Sequence, residues 1–343
     1  MTTTTHDDVR GIHDDARASE RDRGRHARKP SDIPKQGWVD IAIRVKNEVA
    51  KDNVSLIASG LALYALLAVF PALAAAVSIY GLFASPGDIA HQLDAFAGVL
   101  PAAGTKVLQD ELTALSGQDQ ALGIGLVVGI VIALWSARKG MTALMTTMNV
   151  AYDERETRHW FKQILVSMAF TIGAVIGFLV VMSLIVAVPL ALKVLPLGRA
   201  AEVVILALRW ILLWMIAVFG MACVYRYAPS RREAQWRWLS WGSAIAATLW
   251  LAGSLLFALY AHYSDSYGKT YGALGGVVVL LMWFYLTGYV IILGAEINSE
   301  MERQTKADTT AGPEKPLGQR GAYSADTVGP SKEEAKESDT VRQ

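Results

Sequence analysis

Cysteine is nearly absent from this chain. Cys223 stands alone among 343 residues, so neither an intrachain disulfide nor a multi-cysteine metal site can form. Charge is scarce as well. Only 18% of residues are charged while 53% are hydrophobic, whereas a soluble domain has about a quarter charged. What charge exists gathers at the two ends. A net charge of +1 gives no global field, and no nucleic-acid partner is expected. Residues 1–36 are polar, with no short apolar core and cleavage site. No cleavable signal peptide is therefore expected, and insertion falls to a later apolar segment. Catalytic signatures are missing too. The GKT at Gly268–Thr270 lacks the upstream glycine of a phosphate-binding loop, and no dinucleotide fingerprint or zinc-protease pair appears. His159 has no second histidine at ligand spacing. No metal, no cofactor and no enzymatic activity are expected.

Long apolar runs are what the chain does have. Six reach membrane length, at about 55–83, 120–137, 164–192, 202–225, 239–261 and 273–297. The second lies near the lower length limit and can continue as helix through Thr147. Every backbone polar group must be satisfied within lipid, so the expected fold is an all-α membrane protein, a bundle of about six transmembrane helices. Pro71 falls inside the first run and is expected to kink it, because proline removes a backbone donor and crowds the preceding turn.

The connections alternate in charge. Those at 138–163 and 226–238 are basic, with Arg138, Lys139, Arg158 and Arg226 among their cations, and the intervening ones are poor in Lys and Arg. That asymmetry places the basic loops and both termini in the cytoplasm (N-in/C-in), with Arg138, Lys139, Arg158 and Arg226 as inner-side anchors. Between the first two runs, 84–119 carries helical spacing around Pro101, and two short outer helices are expected there. Residues 37–52 alternate Trp38, Ile41, Val45 and Val49 with Asp40, Arg44, Glu48 and Lys51. They predict an amphipathic interfacial helix, with a helix packed on protein as the alternative. The membrane domain thus covers 53–301. Residues 1–36 and 302–343 lack apolar periodicity and are expected to be disordered tails.

Ionisable groups at membrane depth are the first candidates for function. Arg209 lies two turns inside the fourth run. It either snorkels and pairs with Glu202, on the same face, or faces a cavity holding an anionic group such as a lipid phosphate. Tyr285 and Tyr289 each fall within roughly 20° of Glu296 on an ideal helix. Glu296 either closes the helix, paired with Arg158 or Arg226, or lines a path with Tyr285 and Tyr289. Gly125/Gly129, Gly173/Gly177 and Gly272/Gly276 have the spacing that lets membrane helices approach. Packing within one protomer is the plain reading, and a homo-oligomer seam is the other.

Four segments carry a family resemblance. YGKTYGALGGVVVLLMWFYLTGYVIILGAEIN closes the membrane domain. SGLALYALLAVFPAL (Ser59–Leu73), LWSARKGMTALMTTMNVAYDERETRHW (Leu134–Trp160) and VYRYAPSRR (Val224–Arg232) precede it in order. Together they resemble the YihY/virulence factor BrkB family, older members of which carry a ribonuclease BN label, over about residues 38–302. The resemblance implies a bacterial inner-membrane protein of about six helices with an envelope role, and suggests transport of lipid or another amphiphile. Its expected partners are membrane lipids, with an anionic lipid or amphiphile as substrate. A non-catalytic scaffold is the alternative, and a membrane-bound ribonuclease the third reading.

Overall fold

The computed structural model of the chain describes residues 20, 22–81, 122–194, 198–263 and 275–334. The expected outer helices of 84–119, Gly272 and the far ends of both tails lie outside the described residues.

Among the described residues, seven long helices build the fold. The first, α1 (Lys35–Lys51), is followed by α2 (Val54–Gly81), α3 (Leu122–Ala151), α4 (Trp160–Val194), α5 (Arg199–Tyr227), α6 (Trp236–Tyr263) and α7 (Gly275–Glu302), with a single turn of helix, α8 (Tyr323–Asp326), after them. Six of these are long and apolar enough to cross a membrane: Val54–Ala72, Val127–Ala151, Trp160–Ile185, Arg199–Tyr227, Trp236–Tyr260 and Gly275–Glu302. Among the described residues there is no strand, only an isolated antiparallel bridge between Ala234 and Thr310. The spanning helices close a ring in which each packs on its sequence neighbour and α7 packs back on α2. Additional contacts of α7 with α3, and of α2 with α4, cross the ring.

The basal end of the ring is where α1, the α3–α4 and α5–α6 connections and the end of α7 meet. The core sits there. Val54, Ala58, Met145, Met148, Tyr152, Tyr225, Leu239, Ala246, Ile292 and Ala295 form one buried cluster, and Ile33, Ile41, Val45, Trp238 and Met301 a second. Glycines permit the close approaches. A Cβ at Gly140 would lie 2.9 Å from that of Ala68, one at Gly288 would meet Leu61 and Ala58, and one at Gly294 would collide with the Tyr225 hydroxyl. Higher up, indole N–H groups join neighbouring helices. Trp214 donates to Thr248 at 3.2 Å, Trp250 to Thr287 at 3.1 Å and Trp283 to Ser254 at 3.2 Å. Such bonds hold helices together where lipid offers no alternative partner. Around the base, Trp160, Phe161, Trp236 and Trp241 are exposed, as suits an interfacial aromatic belt.

Three expectations from the sequence change. First, α3 continues through Thr147, as the sequence allowed, and on to Ala151, which leaves Arg138 and Lys139 in mid-helix rather than at the end of a span. Second, the terminal segments are folded where described. Residues 303–334 lie across the base: Gln304, Thr305, Thr309, Thr310 and Ser324 are fully buried, and Arg320 donates to the carbonyls of Lys306, Ala307, Lys315 and Ala325. Polar satisfaction, not apolar periodicity, orders this segment, and that is why its sequence reads as a tail. The face of α1 expected to be solvated is buried here too. Asp40 accepts from Arg23 and from the Lys332 amide, and Arg44 reaches Glu300, Gln304 and Pro330. Third, a Cβ at Gly129, Gly173 or Gly177 meets nothing within 4 Å among the described residues, so among these residues they make no close helix–helix approach. Gly276 is exposed, and Gly125 lies in the first turn of α3. Helix α2 continues through Pro71 to Gly81.

Candidate functional site

Above the tight base the ring opens. Among the described residues, two cavities between the spanning helices stand out. The larger, of about 620 Å³, is a groove between α2, α6 and α7, lined by Ser59, Ala62, Phe257, Leu281, Tyr285 and Leu286 among others. The Tyr285 hydroxyl is 2.8 Å from Ser55 Oγ, and Ser59 Oγ donates to the Ser55 carbonyl at 2.9 Å. The groove therefore has apolar walls and a small cluster of hydroxyls toward its basal end. The second cavity, of about 270 Å³, lies between α2, α3, α4 and α7, lined by Ala65, Ala68, Met141, Thr171, Ala174 and Phe284 among others. Its hydroxyls are already engaged: Thr171 donates to the Ser167 carbonyl and Thr287 accepts from Trp250.

The residues singled out from the sequence divide between these places. Tyr285 lines the groove, and Tyr289 packs beside it with ring centres 6.1 Å apart. Glu296 does not join them. It is 2% exposed, lines neither cavity, and its Oε1 has no hydrogen-bond partner among the described residues. Glu48, Asp52, Asp153 and Glu300 lie within electrostatic reach of it. Its expected partners are occupied elsewhere. Arg158 donates to the carbonyls of Tyr227, Ala228 and Pro229, closing the end of α5, and Arg226 pairs with Glu233 at 2.8 Å and covers the Trp236 ring. Arg209 is not paired with Glu202. It reaches the Ile185 carbonyl of α4 at 3.5 Å, stacks on Trp210 and borders neither cavity. Lys139 is exposed, whereas Arg138 turns toward α4, donating to Ser167 Oγ at 3.3 Å.

What the sequence did not reveal is the polar seal beneath these cavities. Arg231 and Glu302 form an ion pair of 2.6 Å with both side chains out of water, and Thr309 donates to the same carboxylate. The Arg231 guanidinium lies over the Tyr152 ring. Burial pulls its pKa down, but Glu302 and Tyr152 beside it outweigh that and hold it above the ordinary value. Burial also pushes the Tyr152 phenol well up. A second knot joins Arg44 to Glu300, and Arg303 to both Glu300 and Glu48. At its edge, burial raises the Asp52 carboxyl to about 6, helped by Asp153 and Glu48 and opposed by Lys51. Of its acidic members Glu300 comes from α7, one turn beyond Glu296, and Glu48 from α1. Among the described residues, no group of three or more His, Cys, Asp or Glu side chains is arranged to hold a metal ion.

Comparisons with known proteins fit this architecture. The chain matches the family described as Virulence factor BrkB over residues 45–318. It is 30% identical to the ribonuclease-like protein YfkH of Bacillus subtilis, over 72% of this chain and 89% of that protein. It is 25% identical to the UPF0761 membrane protein IL2447 of Idiomarina loihiensis, over 60% and 70% of the two chains. With the UPF0761 membrane protein VP0125 of Vibrio parahaemolyticus it shares 26% identity, over 74% and 79%. No solved structure matches. Six apolar spanning helices, a match over most of the length and relatives named as membrane proteins together identify the chain as a member of the Virulence factor BrkB family of membrane proteins.

Proposed function

We propose that this protein sits in the bacterial inner (plasma) membrane with both termini in the cytoplasm, and that it takes up a lipid or another amphiphile from the bilayer and moves it along the groove between α2, α6 and α7. The observation that carries this reading is the uneven packing. The bundle is sealed at its base by buried ion pairs, yet holds a groove of about 620 Å³ at membrane depth. That volume is within the ~300–1,000 Å³ common for small-molecule sites. Apolar walls suit a hydrocarbon chain, and the hydroxyls of Tyr285 and Ser59 offer hydrogen bonds to a headgroup. The cations at the base, including Arg155, Arg158, Lys162, Arg231 and Arg237, support this orientation. The reading is non-enzymatic.

The test is exchange of a fluorescent phospholipid in vesicles containing the purified protein. Exchange should exceed that of protein-free vesicles, and Ala62→Trp, which fills the groove, should bring it back to that level. Equal exchange with and without protein, or an undiminished rate in the folded variant, would remove the basis of the reading.

A further inference from the structure

Arg138 lies inside α3 rather than at its end, and its guanidinium meets α4 at Ser167, seven residues or about 10 Å along the axis from that helix's basal end at Trp160. A guanidinium at such depth is costly and normally meets a carboxylate. Among the described residues none lies within ion-pair distance. One nitrogen donates to Ser167 Oγ at 3.3 Å, and the guanidinium carbon is 4.7 Å from the centre of the Trp135 ring. Its Nε is buried without an acceptor. Arg138 is thus fixed by a ring and a hydroxyl, with donors to spare.

The seam it occupies is also a cavity wall. Ala137 and Met141 on either side of it in α3, and Thr171 one turn along α4 from Ser167, all line the 270 Å³ cavity. That cavity is too apolar to hold ordered water, since both of its hydroxyls already have partners. If empty, it leaves its lining atoms without contacts on one side. A hydrocarbon chain would supply them. Of the other cations within the spanning helices, Lys139 is exposed and Arg209 has no such cavity beside it.

We infer that Arg138 and the cavity between α2, α3, α4 and α7 form a binding site for an anionic phospholipid, the phosphate on the guanidinium and part of an acyl chain in the cavity. Guanidinium and phosphate match in charge and in bidentate geometry. With no carboxylate near Arg138 to balance a cationic headgroup, a headgroup of net negative charge is preferred over a zwitterionic one. This rests on the lipid-handling reading above and gives that reading a lipid class. The cavity is separate from the transfer groove.

The test uses the full-length protein in detergent, titrated separately with phosphatidylglycerol and phosphatidylcholine and read by native mass spectrometry. The wild type should retain phosphatidylglycerol about tenfold more tightly, a ratio worth about 1.4 kcal/mol. Arg138→Gln should abolish the preference while leaving phosphatidylcholine retention as it was, and Arg138→Lys should keep most of it. Ala174→Phe fills the cavity and should weaken both lipids. Ala65→Leu, a smaller change, should do the same to a lesser degree if Ala174→Phe does not fold. An Arg138→Gln variant with its preference intact overturns the headgroup assignment. If Ala65→Leu and any folded Ala174→Phe bind both lipids normally, the acyl-chain assignment is overturned. Displacement of phosphatidylglycerol by inorganic phosphate alone would make this a free-anion site and overturn the lipid. None of these three outcomes touches lipid exchange through the groove. Were the wild type to retain neither lipid and also fail to exchange them, both proposals would fall together.

Discussion

Arg231 and Glu302 meet at 2.6 Å with their side chains 1% and 0% exposed, one from the α5–α6 connection and the other from the end of α7. Neither reaches water, so each is the other's main substitute for hydration, helped by the Thr309 hydroxyl on Glu302 and the Arg232 carbonyl on Arg231. Removing one partner is therefore worse than removing both, because it strands a buried charge. Arg231→Met should lower stability by about 3–5 kcal/mol, measured by denaturant unfolding in detergent. Arg231→Met combined with Glu302→Leu should recover much of that loss. A single variant within about 1 kcal/mol of wild type would mean the pair is hydrated in solution.

Asp52 gives a pH signature. Burial holds its carboxyl at about 6 in the fold, above the value near 3.9 of an unfolded chain. The native state therefore binds this proton more tightly than the unfolded state does. The resulting stabilisation is complete below about 4 and is lost as pH rises through about 6. Asp52→Asn should flatten the fall of the melting temperature between these two values and raise it at neutral pH. Superimposable pH profiles for variant and wild type would count against a desolvated Asp52.

The glycines separate by what surrounds them. Gly140→Leu should push α2 and α3 apart, since even a Cβ there lies 2.9 Å from Ala68. Gly173→Ala has open space around it. It should stabilise α4 by about 0.5–1 kcal/mol, the usual gain for Gly to Ala within a helix. Thermal unfolding of both variants in detergent checks the contrast. A destabilised Gly173→Ala would show that another surface packs on that face.

The spans were legible because length and apolarity suffice to mark a membrane helix, whatever packs against it. Their basal ends were not. Arg138 and Lys139 look like a boundary in the sequence, yet α3 continues past them for more than three turns. Tyr285, Tyr289 and Glu296 share a stripe of α7 as their spacing predicts, but the helix passes from an open groove into a sealed base between them. A shared face does not give a shared environment. The folded segment 303–334 was hidden for a different reason. Its order depends on partners such as Arg25 and Arg44, some 250 or more positions away in the chain, and no local period records such a contact.

Those distant partners also bear on how the molecule is made. Gln304 donates to the Arg23 carbonyl, Thr305 to that of Ala27, the Lys306 amide to that of Arg25, and Arg25 to that of Gly329. The segment preceding α1 leaves the ribosome before any of the spanning helices, whereas its binding partners leave after all of them. Helices α2 to α7 can enter the bilayer one after another while this early segment waits with its polar groups in water. The contacts between residues 23–27 and 304–329 can form only after the final spanning helix has been synthesised, so the base is completed after the helices it seals.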